Sequence, residues 1–185
     1  SGAGLASPAR QCASRGLAGL EWAAGIPGTI GGAVVGNAGA HGGDIAGALR
    51  LATILVADLQ TRDYTAAQLN YSYRSSCLKR AHHGPGDSDR VVLAAEFHLK
   101  PAPVADLEAR VAEITERRKS TQPPGASMGC MFKNPPGDHA GRLLDEAGLK
   151  GTRLGGAEIS PVHANFFVSD PGAAAEDVRK LMARA

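Results

Sequence analysis

Residues 25–43 read GIPGTIGGAVVGNAGAHGG, and eight of these nineteen residues are glycine. The stretch contains neither the G-x-G-x-x-G fingerprint of dinucleotide-binding folds nor the G-x-x-x-x-G-K-[ST] phosphate loop. Because glycine lacks a Cβ, its backbone can approach a ligand closely and adopt a positive φ. Successive backbone N–H groups can then cradle a pyrophosphate. The alternative is tight packing of small residues in helices and loops, and composition alone leaves both interpretations open.

The composition is that of a globular domain and excludes several classes of protein. Of the 185 residues, 43% are hydrophobic and 21% are charged, with a net charge of +2, which argues against disorder. The aromatic content of 4% and the lack of a long run of one charge argue against a nucleic-acid or membrane partner. We expect a monomer that binds small molecules.

The cysteine content predicts a reducing environment. Cys12, Cys77 and Cys130 are odd in number and form no C-x-x-C pair, so we expect neither a disulfide framework nor a metal site. The chain has no apolar run of about 18 residues and no leader typical of secretion. These features predict a cytoplasmic protein without a membrane span.

The apolar periodicity predicts an α+β fold. Residues 49–59 and 91–99 favour strands, whereas 60–63 and 81–90 read as polar turn and loop, with His82 and His83 in solvent. Helices are predicted after Pro103, through Val104, Leu107, Val111 and Ile114, and after Asp138, through Ala140, Leu143, Leu144 and Ala147. A buried strand at 165–168 and a last helix after Pro171 complete the pattern. Strands and helices do not alternate strictly, which favours α+β over α/β.

Two later motifs carry groups suited to catalysis. Residues 71–76 read YSYRSS, and the planar guanidinium of Arg74 could clamp a carboxylate or phosphate, although an ordinary surface arginine is the alternative. Residues 127–137 read SMGCMFKNPPG, which places Lys133 and Asn134 just after Cys130. A lone cysteine is usually inert and buried, but this one has a cation and an amide as neighbours.

The glycine-rich stretch closely resembles the flavin-binding signature of the UDP-N-acetylenolpyruvoylglucosamine reductase family, flavoenzymes of bacterial peptidoglycan precursor synthesis. In that family the FAD domain is of the vanillyl-alcohol-oxidase type, and the segment wraps the FAD pyrophosphate and lies against the isoalloxazine. The resemblance implies the following FAD-contacting residues: Gly25, Ile26, Pro27, Gly28, Thr29, Gly31, Gly32, Asn37, Ala38, Gly39 and His41.

The resemblance also implies roles for the later motifs. Arg74 matches the family's catalytic arginine, which holds and polarises the enolpyruvyl carboxylate. Cys130 stands where the family's G-S-x-F-K-N-P loop has its proton-donating serine, and a thiol is the better acid. The substrate-binding residues implied are Tyr73, Lys133, Asn134, Glu158 and Asn165, with Ser160 and His163 as further candidates. For Glu158, Ser160, His163 and Asn165, the alternative is a structural role in helix-strand packing and turn hydrogen bonding.

The implied organisation is an FAD-binding domain over residues 1–102 and a smaller α+β substrate-binding domain over 103–185. The implied reaction uses NADPH to reduce FAD, which then reduces the enolpyruvyl group of UDP-N-acetylglucosamine enolpyruvate to UDP-N-acetylmuramate. The spacing from Arg74 to Cys130 resembles the subtype without a tyrosine-bearing insertion. The family's earlier glycine-containing FAD segment and its final catalytic glutamate have no counterpart, so we expect a chain truncated at both ends.

Two alternatives stay open at this point. Another FAD-dependent oxidoreductase of the same fold would share the glycine-rich stretch. A non-catalytic nucleotide-binding fragment would retain affinity for the UDP-sugar and would not oxidise NADPH in its presence.

Overall fold

The computed structural model describes residues 2–81 and 90–185. His82 and His83, and most of the polar loop predicted at 81–90, lie outside the described residues. The chain divides into two units, residues 1–115 and 116–185. The functional domain boundary expected after residue 102 stays a prediction.

The first unit contains short helices around a small antiparallel sheet. Its elements are α1 (Ala6–Ala13), β1 (Leu17–Ala18), a 3-10 turn (Glu21–Ala23), α2 (Ile30–Gly36), β2 (Gly39–Ala40), β3 (Gly43–Asp44), α3 (Ile45–Ala48), β4 (Leu49–Leu55), β5 (Thr61–Tyr64), α4 (Ala66–Leu69), α5 (Cys77–Ala81), β6 (Val91–Phe97), β7 (Lys100–Pro101) and the start of α6 (Val104–Thr121).

Strand order in the main sheet is β5-β4-β6, and both pairings are antiparallel. The prediction of a turn at 60–63 is wrong, because Thr61 begins β5 and pairs with Leu55. The turn lies just before it, where the N–H of Val56 donates to the carbonyl of Gln60 and Leu59 has a φ of 62°. β5 is an edge strand with mostly exposed polar side chains, so it lacks the apolar alternation that identifies strands.

Helix α2 packs against β6, and the core of the first unit forms around this contact. Val34, Ile54 and Val92 are almost fully buried there. The predicted strand region 48–100 also contains the short helices α4 and α5, which contribute the buried Leu69 and Leu78.

The second unit is a four-stranded antiparallel sheet with two helices. Its elements after α6 are β8 (Ala126–Cys130), α7 (Ala140–Glu146), β9 (Arg153–Leu154), β10 (Ala157–Ile159), β11 (Phe166–Ser169) and α8 (Ala175–Arg184), and the strand order is β8-β11-β10-β9. The predicted strand near 165–168 and last helix are therefore present. Its core contains Leu144, Ile159, Phe167 and Leu181.

The two predicted helices that precede the last one also form, and in each the buried face is narrower than predicted. In α6, Leu107 and Ile114 are buried, as their spacing predicts, but Val104 is exposed and Val111 is only partly buried. In α7, Ala140 and Leu144 are buried, but Leu143 and Ala147 are exposed, so the predicted apolar face is too wide. Gly148 ends α7 with a φ of 70°, and the N–H of Leu149 reaches back to the carbonyl of Leu144.

Within residues 2–81 and 90–185, no helix combines the length and the apolar character needed to cross a membrane. The same part of the chain holds no group of three or more histidine, cysteine or acidic residues that could bind a metal ion.

Candidate functional site

The first half of the glycine-rich stretch leads into α2. Thr29 is the N-cap residue, and its hydroxyl accepts from the N–H of Gly32 at 3.1 Å. Gly28, with a φ of 106°, faces open space where a side chain would stand. The chain's early residues pair with this stretch, because Leu5 N–H donates to Gly28 O (3.0 Å) and Ile30 N–H donates to Ala3 O (2.9 Å).

The second half forms a two-residue β-hairpin. His41 and Gly42 lie between β2 and β3 with φ values of 51° and 84°, which is the pattern of a type I′ turn. A Cβ on Gly39 would lie 2.6 Å from that of Asp44, and one on Gly43 would overlap the Trp22 ring. Packing therefore requires glycine at positions 39 and 43.

Asn37 ends α2 in the left-handed region, with a φ of 45° and only 5% of its surface exposed. Its Nδ2 donates to Asp44 Oδ2 (3.3 Å) and to the carbonyl of Ser72 (3.2 Å), and its Oδ1 accepts from the N–H of Ala46 (2.9 Å). The predicted cofactor residue Asn37 thus connects α2, the hairpin and the YSYRSS segment.

The YSYRSS segment is a tight turn whose side chains bind the glycine-rich backbone. The N–H groups of Ser72 and Ser75 each donate to the other residue's carbonyl, and Arg74 between them has a φ of 55°. Its guanidinium donates to the carbonyls of Asn37 (3.3 Å) and Gly39 (2.7 Å) and lies 5.6 Å from the Tyr73 ring centroid. A positive φ at a long side chain is sparsely populated, and such strain concentrates at functional sites.

A cavity of about 460 Å³, called here the N-terminal cavity, lies at this junction. It is lined by Asn37, residues 39–44, Ala46 and residues 71–74. It brings together Asn37, Gly39, His41, Tyr73 and Arg74 of the predicted site. The other predicted FAD residues, at 25–32 and Ala38, do not line it. Ile26 and Ala38 pack against the core instead.

In the second unit, Cys130 is the last residue of β8, and its thiol is exposed. It is paired with Phe166 of β11. Burial lowers the pKa of the Arg118 guanidinium, and the charge of nearby Cys130 opposes that shift.

The Asn165 side chain fixes the loop that follows Cys130. Its Oδ1 accepts from the N–H of Phe132 (2.8 Å) and its Nδ2 donates to the carbonyl of Phe132 (2.9 Å), while its backbone carbonyl accepts from Met131. The amide thereby continues the β8-β11 pairing beyond Cys130. Asn165 is 2% exposed, so its side chain holds the loop.

Asn134 and His163 are held equally firmly. Asn134 Oδ1 accepts from the N–H of Ala140 at the start of α7 (3.1 Å). His163 Nδ1 accepts from the N–H of Asn165 (3.2 Å), which places the proton of the neutral ring on Nε2. Burial is the main cause that lowers the pKa of His163, and Lys150 adds to the effect.

These residues line a second cavity of about 440 Å³, called here the C-terminal cavity. Its lining includes Cys130, Asn134, His139, Arg142, His163 and Asn165. Three other candidates are not in its lining. Lys133 is exposed, Glu158 pairs with Arg153 at 3.0 Å, and the buried Ser160 hydroxyl accepts from Val162 N–H.

Comparison with known proteins finds high similarity to one family of enzymes. The chain is 49% identical, over 98% of its length, to a UDP-N-acetylenolpyruvoylglucosamine reductase of Chloroflexus aggregans, and 47% identical, over 94%, to one of Rubrobacter xylanophilus. It superposes with a TM-score of 0.87 and 41% identity on the crystal structure of the Thermus caldophilus enzyme, over 98% of this chain and 64% of that one. Over nearly its whole length, the chain is therefore similar to enzymes of the UDP-N-acetylenolpyruvoylglucosamine reductase family.

The family model matches only the C-terminal part of the chain, whereas the relatives match nearly all of it. The model of the family's C-terminal domain matches residues 120–185. This chain spans 60% and 56% of the lengths of the two relatives named above.

Sequence reasoning quoted Tyr71 and Ser76 within the YSYRSS motif but assigned neither a role at the candidate site. Tyr71 lines the N-terminal cavity, and Ser76 lies buried behind it. Both side chains bind backbone carbonyls of α2, 37 and 41 residues earlier in the chain. Local spacing carries no signal of such distant partners.

Proposed function

We propose that this chain belongs to an enzyme that uses NADPH to reduce the enolpyruvyl group of UDP-N-acetylglucosamine enolpyruvate to UDP-N-acetylmuramate, a step of peptidoglycan precursor synthesis. The observation that carries the proposal is the position of Arg74, whose guanidinium is fixed at a cavity formed by the glycine-rich hairpin. The names of relatives nearly half identical to this chain supply the reaction.

The residues present fit an FAD cofactor. Gly28 and Gly42 have positive φ values and open space beside them, so a ligand can approach the backbone there. We infer that residues 25–32 hold the pyrophosphate and residues 37–41 lie against the ring system. The N–H groups of Ile30 and Gly32 already donate to acceptors within the protein. Other backbone N–H groups of the stretch would therefore bind the pyrophosphate. FAD, when bound, supplies hydride transfer from NADPH to the substrate.

Arg74 provides a fixed positive charge. As hydride adds to C3 of the enolpyruvyl group, negative charge develops on the carboxylate side. A preorganised guanidinium stabilises such charge because it needs no reorientation during the reaction. Two of the five guanidinium N–H donors serve the carbonyls of Asn37 and Gly39. In this role Tyr73, whose ring contacts Arg74, binds beside the carboxylate.

Cys130 is the proposed general acid, which donates its proton to C2. Its thiol is exposed and lines the C-terminal cavity, so it is accessible to a substrate. Asn134 and Lys133 follow on the loop and bind the UDP-sugar in this proposal, and Glu158 contributes from β10. Asn165 acts by holding the loop in place, since its amide is bound to Phe132. The expected monomer and cytoplasmic location stay predictions.

The test is a visible spectrum, followed by turnover, of the natural polypeptide that carries these residues. We expect a flavin band that survives desalting after FAD is added. NADPH should bleach the band, and the enolpyruvyl substrate should restore it. A protein that stays colourless contradicts the proposal. A protein that binds the UDP-sugar without substrate-dependent NADPH oxidation is a binding module instead.

A further inference from the structure

Two hydroxyl groups on either side of Arg74 bind the end of helix α2. Tyr71 Oη donates to the carbonyl of Val34 at 2.9 Å, and Ser76 Oγ donates to the carbonyl of Val35 at 2.6 Å. Both carbonyls belong to the last turn of α2, where a helix has no amide of its own to satisfy them. The hydroxyls therefore serve the same purpose as a C-cap.

Both hydroxyl groups belong to side chains that are at least partly buried. Ser76 is fully buried, and its Oγ also accepts from the N–H of Lys79 in the first turn of α5. Tyr71 is half-buried, and burial raises the pKa of its phenol, with the Cys77 and Asp44 charges adding to the shift. Tyr71 therefore stays a neutral donor.

The two bonds connect the turn that carries Arg74 to the segment that Arg74 binds. From the end of α2 the backbone runs through Asn37 to Gly39, and their carbonyls accept from the Arg74 guanidinium. Asn37 returns the contact, since its Nδ2 donates to the carbonyl of Ser72. The α2 end and the Arg74 turn are thus bound to each other at several points.

We propose that Tyr71 and Ser76 are positioning residues that hold the Arg74 guanidinium against the backbone of residues 37–39 and thereby set the conformation in which that segment binds flavin. The inference rests on the proposed function, which places the flavin ring against this backbone. Arg74 then has two roles: it holds the backbone of residues 37–39 in place, and it stabilises the negative charge that develops on the substrate carboxylate.

The experiment compares Tyr71→Phe and Ser76→Ala with the matched controls Tyr64→Phe and Ser75→Ala in the natural polypeptide. Tyr64 packs on the same core from β5, and Ser75 lies between Arg74 and Ser76. The measurements are the FAD dissociation constant, the absorbance maxima of bound flavin, and kcat and KM for the substrate. We expect each test variant to bind FAD about fivefold more weakly or worse, with shifted flavin maxima and a lower kcat. The controls should match the wild type.

A purely structural role would lower the melting temperature and leave the flavin spectrum and affinity of the folded protein unchanged, and that result overturns the inference. If the test variants do not fold, Arg74→Lys decides, since one ammonium cannot replace a two-pronged guanidinium contact. Unchanged FAD affinity in Arg74→Lys also overturns it. A wild-type protein that binds no flavin removes the proposed function itself, which is a distinguishable result.

Discussion

At the scale of single residues, Cys130 stands where the resemblance to the reductase family implies a proton-donating serine. A serine in its place keeps a proton donor of similar size, and an alanine does not. In the proposed enzyme, Cys130→Ser should therefore retain substantial turnover. Cys130→Ala should lose substrate reduction and keep NADPH-driven flavin bleaching, as measured by stopped-flow absorbance. Equal turnover in the alanine variant would remove Cys130 from the mechanism.

We expect His163 to make the stability of the second unit depend on pH. Burial lowers its pKa below the ordinary value of about 6.5. As pH falls through that value, the unfolded chain gains a proton that the folded ring resists, so the free energy of unfolding falls. The loss ends once the pH is below the folded pKa, where both states are protonated.

We expect His163→Gln to flatten this dependence between pH 7 and the folded pKa, as followed by urea denaturation at each pH. The matched control is His139→Gln, which changes a histidine of the same cavity. An unchanged pH slope in His163→Gln would assign the effect to other groups.

At the scale of elements, the β2-β3 hairpin tolerates no side chain where it contacts Trp22. A Cβ at Gly43 overlaps the indole ring, so Gly43→Ala must displace one of them. We expect a loss of about 1–3 kcal/mol in the free energy of unfolding and a shifted Trp22 fluorescence maximum. Gly36→Ala is the control, because Gly36 is helical and faces open space. A Gly43→Ala protein as stable as the wild type would contradict the packing.

Elements with an apolar period were predictable from the sequence, and elements without one were not. Leu107 and Ile114 identified α6 because their burial repeats at the helical period. β5 was missed because its pairing with β4 is made by the backbone, and its side chains are mostly polar and exposed. The contacts of Tyr71 and Ser76 with α2 were not predicted, because their partners lie far away in sequence.

The candidate site shows the same limit. The motifs predict catalytic roles for Arg74 and Cys130, but a motif gives residue types and says nothing about what each side chain contacts. Asn165 shows the difference, since its amide holds Phe132 from a buried position. The sequence does not predict that the Asn165 side chain binds the loop after Cys130, because this contact forms only in the folded chain.

At the scale of the whole molecule, the two units have separate cores. The chain's single tryptophan, Trp22, reports on the first unit only. We expect Phe167→Ala, in the second core, to cost about 3–5 kcal/mol. It should shift the urea transition seen by far-ultraviolet circular dichroism and leave the Trp22 fluorescence transition in place. Ile54→Ala, in the first core, should do the reverse.

Coincident transitions that move together in both variants would show that the units unfold as one. Such a result would make α6, which begins in one unit and ends in the other, the element that couples them.

The pairing of residues 3–5 with the glycine-rich stretch has a practical consequence for protein engineering. Leu5 N–H donates to Gly28 O, and Ile30 N–H donates to Ala3 O. A fusion tag joined at residues 3–5 would therefore disturb the glycine-rich stretch. In a chain shortened past Leu5, the Gly28 carbonyl and the Ile30 amide would lose these hydrogen-bond partners. Expression boundaries therefore belong ahead of Ala3, so that both hydrogen bonds to the stretch are kept.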